Sequence, residues 1–333
     1  MNKGEMMDQS IRDHWVGFDL GGTKMLAEVF DSDFTQLSRK RRRTKGHEGV
    51  DAGVNRIIQT LHKALEQAEI TPERLGGIGF GCPGPLDLDR GIVIEAPNLG
   101  WNQVPIKETL EQEFGCPVVI ANDVDAGVYG EYCFGSAQNA RCVLGVFPGT
   151  GIGGGCVYDG KILRGEKSSC MEIGHIQIMP DGPLCGCGLR GCVEALASRL
   201  AISAAAAQAA FRGQAPKLLE VAGTDLSNIR SGALAQAIEG GDAVVGQIVR
   251  EAAEHIGTAV ATVIHLLSPE VVVLGGGLVE AMPELFVETV ANSARKHVLT
   301  SYEKSFKVVE AKLGDDAAVI GAAAWARRLI ESQ

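Results

Sequence analysis

The sequence has no apolar run long enough to cross a bilayer. Its longest, Ile256–Leu267, is preceded by His255 and interrupted by His265. The opening "MNKGEMMDQSIRDH" has no apolar segment of the kind that makes a signal peptide. Positive charge is in deficit: 31 Lys and Arg against 41 Asp and Glu leave a net charge of -10, which argues against nucleic acid as a main partner. One run, "RKRRRTK" (Arg39 to Lys45), goes the other way. It follows two strand-like segments and reads as an edge strand protected by charge, with a basic interaction patch as the other reading. No linker rich in proline, serine or glycine divides the chain, so two hinged domains are expected and not beads on a string. Without a secretory signal, the nine cysteines read as reduced thiols in a cytoplasmic protein.

What is abundant is glycine, 43 of 333 residues against a usual share of roughly 7%. No collagen-like period or low-complexity tract accounts for it; the glycines cluster at strand ends. "HWVGFDLGGTKMLAEVFD" reads as strand, glycine turn, strand, and "TQLSRKRRRT" as a third strand beside them. Val54, Ile57, Ile58, Leu61, Ala64 and Leu65 then share one helical face. A buried strand "GGIGFGCPG", a hairpin near Asp89, a helix near Pro105 to Phe114, the strand "PVVIAND" and a helix after Asp123 follow. "LGVFPGTGIGGGCVYDG" (Leu144 to Gly160) repeats the opening plan, which suggests two related α/β domains. The second half is richer in helix, with alanine-rich amphipathic stretches at "LASRLAISAAAAQAAF" and Ala243 to Leu267. "EVVVLGGGLVEAM", the strand "FKVVEAKL" and a helix from Ala317 to Ile330 complete the pass.

Three glycine-rich turns come directly after apolar strands: "DLGGTK" (Asp19 to Lys24), "GTGIGGG" (Gly149 to Gly155) and "GGG" (Gly275 to Gly277). Glycine there lets backbone N–H groups approach a polyanion closely, and Thr23 and Thr150 offer hydroxyl donors. None is a Walker A loop or a dinucleotide fingerprint in its usual setting. Each alone could be a hairpin turn; three in one chain, two of them in a repeat, point to a nucleotide site. "AND" (Ala121 to Asp123) ends a strand with an amide and a carboxylate at the edge where open α/β sheets bind ligands. Asp123 reads either as a helix N-cap or as a base for an attacking hydroxyl.

In order, "DLGGTK", "GCPGPLD", "NLGW", "ANDVDAG", "GTGIGGG", "EIGH", "CGCGLRGCVE" and "VVVLGGGL" resemble the ROK family of repressors and sugar kinases, most nearly its bacterial glucokinase branch. The resemblance implies an actin-like, ribonuclease-H-like fold, with two α/β domains around a cleft. The domains would be 14–121 plus 317–333, and 122–316 with a structural zinc loop. It implies that ATP with Mg²⁺ is held by Asp19, Gly21, Gly22, Thr23 and Lys24, by Gly149, Thr150, Gly151, Gly153 and Gly154, and by Gly275, Gly276 and Gly277. Sugar contacts carry over onto Gly84, Asn98, Asn122, Asp123, Glu172, His175 and Glu194, with Asp123 as catalytic base. A homodimer is implied as well.

"CGCGLRGCVE" crowds three cysteines around glycines, which is compatible with a disulfide, a redox pair or a metal site. A disulfide between Cys185 and Cys187 would be strained, and redox pairs usually have two residues between their cysteines. Structural zinc fits better, held by Cys185, Cys187, Cys192 and His175, with Gly186, Gly188 and Gly191 letting the loop wrap it.

The expected reaction is ATP-dependent phosphorylation of a hexose at its 6-hydroxyl. Glucose is favoured because "PNLGW" and the run after "AND" look most like the glucokinase branch. N-acetylglucosamine, N-acetylmannosamine and fructose are the alternatives. The family's repressors carry a helix-turn-helix domain ahead of the kinase-like body, and too few residues precede the first strand here for three helices. Relatives using polyphosphate typically lack the cysteine motif. Two departures bear on the substrate: Val124 and Asp125 follow "ND", putting a second acid near the proposed base, and Cys170 and Met171 precede "EIGH".

Overall fold

The computed structural model describes residues 12–96, 99–166 and 170–332; Asn98, one of the expected sugar contacts, lies outside them. The chain divides into two compact units, 1–130 with 164–169 and 316–333, and 131–163 with 170–315. No helix among the described residues is long and apolar enough to cross a membrane.

In the first unit, β1 (His14–Leu20), β2 (Lys24–Phe30), β3 (Gln36–Arg43), α1 (Val50–Ala68) and β4 (Leu75–Cys82) are followed by β5 (Leu86–Asp87), β6 (Ile92–Ala96), β7 (Trp101–Val104), α2 (Ile106–Phe114), β8 (Val118–Asn122) and α3 (Asp123–Cys133). The main sheet runs β3-β2-β1-β4-β8, and β5, β6 and β7 form a small second sheet. β1 pairs antiparallel with β2 but parallel with β4, and β4 parallel with β8. The basic run therefore forms an edge strand, β3, as its charge pattern predicts.

Alternation along the strands sends the two faces of this sheet to different partners. Val16, Phe18, Leu20, Ile78 and Phe80 pack with Ile57, Leu61 and Ala64 of α1. On the other face Gly17 and Gly79 admit α11 (Ala317–Glu331) to backbone contact, since a Cβ at either would strike the carbonyl of Val319 or Ala322. This packing keeps β8 and the start of α3 in the first unit: Gly321 of α11 lies against the backbone of Ala126 and Gly130.

The second unit contains β9 (Cys142–Pro148), β10 (Ile152–Tyr158), β11 (Lys161–Ile162), α4 (Val193–Ala197), α5 (Arg199–Phe211), α6 (Pro216–Ala222), α7 (Ser231–Glu239), α8 (Ala243–Leu267), β12 (Val271–Leu274), α9 (Gly277–Ala281), α10 (Pro283–His297) and β13 (Lys307–Glu310). Its sheet runs β11-β10-β9-β12-β13, with β9–β10 antiparallel and β9–β12–β13 parallel. That is the pairing plan of the first sheet, so the strand–turn–strand repeat in the sequence is a repeat of topology. The stretch "LASRLAISAAAAQAAF" is helical on both sides of Ser198, whose hydroxyl accepts from the Ala201 N–H at 3.3 Å and caps α5.

Glu28 of β2 is buried beside the guanidinium of Arg39, 3.1 Å away, and Arg39 in turn meets Asp316 at 2.6 Å. Burial pushes the Glu28 carboxyl up to about 7 from 4.5, against the opposing pull of Arg39. Because the folded value is raised, the folded state holds this proton more tightly than the unfolded chain does. The contribution of Glu28 to stability is therefore full below about pH 4.5 and is lost as pH rises toward about 7. Glu28→Gln should gain on the parent by on the order of 2–3 kcal/mol between pH 4.5 and 8, read from urea unfolding. A difference that does not change with pH would remove the proton linkage.

Candidate active site

The parallel strands of the first unit bring three chain segments to one sheet edge. Asp19 of β1 is in register with Gly81 of β4, and Cys82 of β4 with Asn122 of β8. A Cβ on Gly81 would stand 3.8 Å from the Asp123 Cα. Cys82 reports both carboxylates: burial first, then Asp123 and Asp19, push its thiol well above the ordinary value. Gly84, just beyond β4, has φ +101°, and a side chain there would strike the Glu95 carbonyl.

The helix cap is Asn122. Its Oδ1 accepts from the Val124 N–H at 2.9 Å and the Asp125 N–H at 3.3 Å, while Asp123 is the first residue of α3. Capping is thus supplied by the residue before Asp123, whose Oδ1 shares the Val124 N–H at 3.0 Å. Asp125, the second acid, is buried in α3.

The turn Gly21–Thr23 between β1 and β2 is held by a residue with no sequence signal. Thr44, buried just past β3, donates its hydroxyl to the Gly21 carbonyl at 2.7 Å and its N–H to the Thr23 carbonyl at 2.9 Å. Arg56 of α1 donates to the Thr44 carbonyl at 2.6 Å and pairs with Glu48. The β2–β3 register sets this arrangement and places Lys24 opposite Arg43.

In the second unit the other two glycine segments meet at one edge. β9 and β12 are parallel with Val146 beside Leu274, so both chains leave the sheet together, and a Cβ on Gly276 would lie 3.1 Å from the Pro148 carbonyl. Gly149, Thr150 and Gly151 make the turn, whereas Gly153 and Gly154 lie within β10. Gly154 admits a close neighbour, since a Cβ there would sit 2.6 Å from the Met171 carbonyl. Arg199, at the start of α5, braces the turn by donating its N–H to the Gly149 carbonyl at 2.9 Å and a guanidinium N–H to the Thr150 hydroxyl at 2.8 Å. Gly275 follows β12, Gly276 has φ +84° and Gly277 begins α9.

His175, Cys185, Cys187 and Cys192 converge so that one ligand atom from each lies within 4.8 Å of the others. The His175 Nδ1 is 3.7 Å from the Cys185 Sγ, and Cys187 and Cys192 are 3.7 Å apart. As bare thiols they are ill-matched: burial and the neighbouring sulfurs push Cys192 up to about 12, while a hydrogen bond from the Leu189 backbone pulls Cys187 down. Three sulfurs and one imidazole nitrogen are the donor set of a closed tetrahedral zinc site, so these residues fit that ion. Of the three loop glycines, Gly191 is demanded by φ +70° and by contact with the Met179 carbonyl, and Gly188 by φ +89°, but Gly186 faces open space.

Glu194 joins this cluster to the glycine turn. Its Oε1 accepts from the Cys185 thiol at 3.8 Å and its Oε2 from the Ile152 N–H at 2.9 Å. A side chain on Gly151 would collide with that carboxylate. Glu172 is exposed immediately before the turn containing His175.

The ROK family model matches residues 15–329. The chain belongs to the ROK family. It is 33% identical to the glucokinase of Streptomyces coelicolor over 94% of this chain and 97% of that one. It is also 30% identical to the xylose repressor of Caldicellulosiruptor bescii, over 80% of this chain and 66% of that one. A ROK family glucokinase from Streptomyces griseus, solved in complex with glucose and AMPPNP, superposes with a TM-score of 0.80 at 34% identity, covering 95% of this chain and 99% of that one. The fold is the two-domain actin-like ATPase fold of ROK sugar kinases, as the motif resemblance implied.

Within this ROK chain, Thr44 and Arg199 are the residues that motif reading missed. Thr44 was hidden in the basic run, and Arg199 in an alanine-rich helix. Thr44→Val keeps the shape and removes only the hydroxyl bond. Amide exchange at Gly22, Thr23 and Lys24 should accelerate about five- to tenfold, with Thr44→Ser near the parent. Unchanged exchange in Thr44→Val would show that the turn holds itself.

Proposed function

We propose that this protein is an ATP-dependent hexokinase that phosphorylates the 6-hydroxyl of a hexose, glucose being the first candidate. The observation that carries this reading is the placement of Asp123 and Asp19 at one sheet edge, on either side of β4, with helix capping assigned to Asn122. Whole-length likeness to glucokinases supports it. The hydroxyl oxygen forms a bond to the γ-phosphorus, the bond from that phosphorus to the β,γ-bridging oxygen breaks, and its electron pair leaves with ADP. Asp123 takes the hydroxyl proton as base, a role typically worth roughly a hundred- to ten-thousand-fold in rate. Asn122, Gly84, Glu172, His175 and Glu194 are assigned to hold the sugar. The three glycine segments are assigned to the nucleotide, where backbone N–H groups replace the water around the phosphates. Mg²⁺, when bound, neutralises phosphate charge, and Asp19 is the residue assigned to hold it through water. Zinc, when bound, would be structural, held by Cys185, Cys187, Cys192 and His175 with no position open to substrate. His175 presents Nδ1 to the sulfurs, which leaves Nε2 for a sugar hydroxyl.

A coupled kinase assay over a panel of hexoses tests the reading, and a DNA-binding assay tests the repressor alternative raised by the likeness to xylose repressors. Asp123→Asn should fold and bind sugar yet lose at least two orders of magnitude in turnover, as about 100-fold is the low end for a general base. Retention of more than about a tenth of the rate would remove Asp123 as base.

Elemental analysis should find one zinc per chain. Cys187→Ser should lower that content and weaken sugar binding before ATP binding, because His175 and Glu194, both assigned to the sugar, belong to the cluster or follow its last ligand by two residues. A zinc-free protein with unchanged hexose affinity would contradict this assignment.

A further inference from the structure

A polar cavity of about 340 Å³ lies between α8 and α10, and none of its lining residues belongs to a glycine segment or to the cysteine cluster. Its size is within the range of small-molecule sites. The spacing of its residues makes it a built groove: Arg250, Glu254 and Thr258 recur every four residues on one face of α8, and Thr289, Asn292, Ser293 and Lys296 share one face of α10. The two helices are locked together beneath it. A Cβ at Gly257 would come within 2.5 Å of the Ser293 Cβ, and the Ser293 hydroxyl donates to the Glu254 carbonyl at 2.7 Å.

The groove holds two cations against one carboxylate. Neither Arg250 nor Lys296 has an ion-pair or hydrogen-bond partner among the described residues. Arg250 does not reach forward to Glu254 one turn on; its guanidinium folds back over Gly246, where even a Cβ would be 3.3 Å from Nη2. The remaining polar groups are those that read hydroxyls. His297 donates its Nδ1–H to the Ser293 carbonyl at 2.8 Å, which commits that nitrogen and leaves Nε2 for a ligand. Burial lowers His255 from its ordinary value, against the pull of Glu251 and Glu254, so its ring is neutral near pH 7 and offers one donor and one acceptor. Glu254 is the one carboxylate lining the groove and accepts only.

Two unpaired cations, a carboxylate and a set of neutral donors and acceptors match a ligand that carries both phosphate and hydroxyl groups. We propose that the α8–α10 groove binds a small phosphorylated sugar, at a site separate from the one assigned to catalysis. Arg250 and Lys296 attract the phosphate, and Glu254, Asn292 and the histidines select the hydroxyl-bearing part. Free phosphate shares half of this chemistry and should bind more weakly.

Calorimetric titration of the full chain with glucose 6-phosphate and with inorganic phosphate tests the proposal without relying on the kinase reading. Both titrations are run with AMPPNP and glucose present and repeated in Asp123→Asn, so that the other site is either filled or altered. Glucose 6-phosphate should bind about one per chain and at least tenfold tighter than phosphate. Arg250→Ala with Lys296→Ala, both at exposed positions, should weaken both ligands at least tenfold while leaving the thermal midpoint and Asp123-dependent activity unchanged. Glu254→Gln should act with opposite signs, tightening phosphate about threefold, by removing a like charge, and loosening glucose 6-phosphate. Binding that survives the double variant, or that vanishes once AMPPNP and glucose are present, would overturn the proposal. So would equal affinity for phosphate and glucose 6-phosphate, or the same sign of change for both in Glu254→Gln. If the chain proves not to phosphorylate hexoses, the groove titration still stands or falls by these variants.

Discussion

The second unit depends on the carboxylate of Glu194. One oxygen receives the Cys185 thiol and the other the N–H of Ile152, the first residue of β10. Glu194 is the second residue of α4, whose cap position is the cluster cysteine Cys192. This side chain therefore links the cysteine loop to the glycine turn, alongside the packing of Gly174 on the Ile152 carbonyl. Gly151 is small because this carboxylate occupies the space where its side chain would be. Because Glu194 follows Cys192 by two residues in α4, the cysteine loop is tied to the turn through that helix and the Ile152 hydrogen bond.

The two sheets solve the same problem with the same plan. In each, an antiparallel hairpin is followed by two parallel strands, so the hairpin turn and the later strand ends share an edge. The first sheet uses that edge to gather carboxylates and an amide, Asp19, Asp123 and Asn122. The second uses it to gather backbone, Gly149–Gly151 and Gly275–Gly277. Their bracing is also parallel in kind: Thr44 secures the first hairpin turn and Arg199 the second.

Much of this was legible in the sequence because alternating apolar runs that end in glycine announce strand–turn–strand units, and their recurrence announces a duplicated sheet. The cysteine cluster was legible from spacing, and His175 was assigned to it from the motif resemblance; the structure brings all four together. Other features depend on register or packing, which no local pattern encodes. Thr44 matters because the β2–β3 pairing delivers it to Gly21, and nothing in "RRRTKG" marks it. "GTGIGGG" reads as one loop but is a turn plus a strand, and its Gly154 answers to Met171 across the fold. Asn122 and Asp123 are adjacent, and only geometry separates the cap from the carboxylate. In "LASRLAISAAAAQAAF" helix propensity concealed the stop at Ser198, where a capping hydroxyl outweighed it.

Gly17 and Gly79 leave a bare trough along β1 and β4 that is filled by the carbonyls of Val319 and Ala322 on α11. The first strands of the chain thus close against its last described helix, with the whole second unit made in between. During synthesis, at roughly 5–20 residues per second, β1 and β4 wait tens of seconds for the helix that covers them. The second unit, contiguous apart from 164–169, can be complete while the first is still open on one face. The first unit can close only after α11 has been made, whereas the second needs no residue beyond 315.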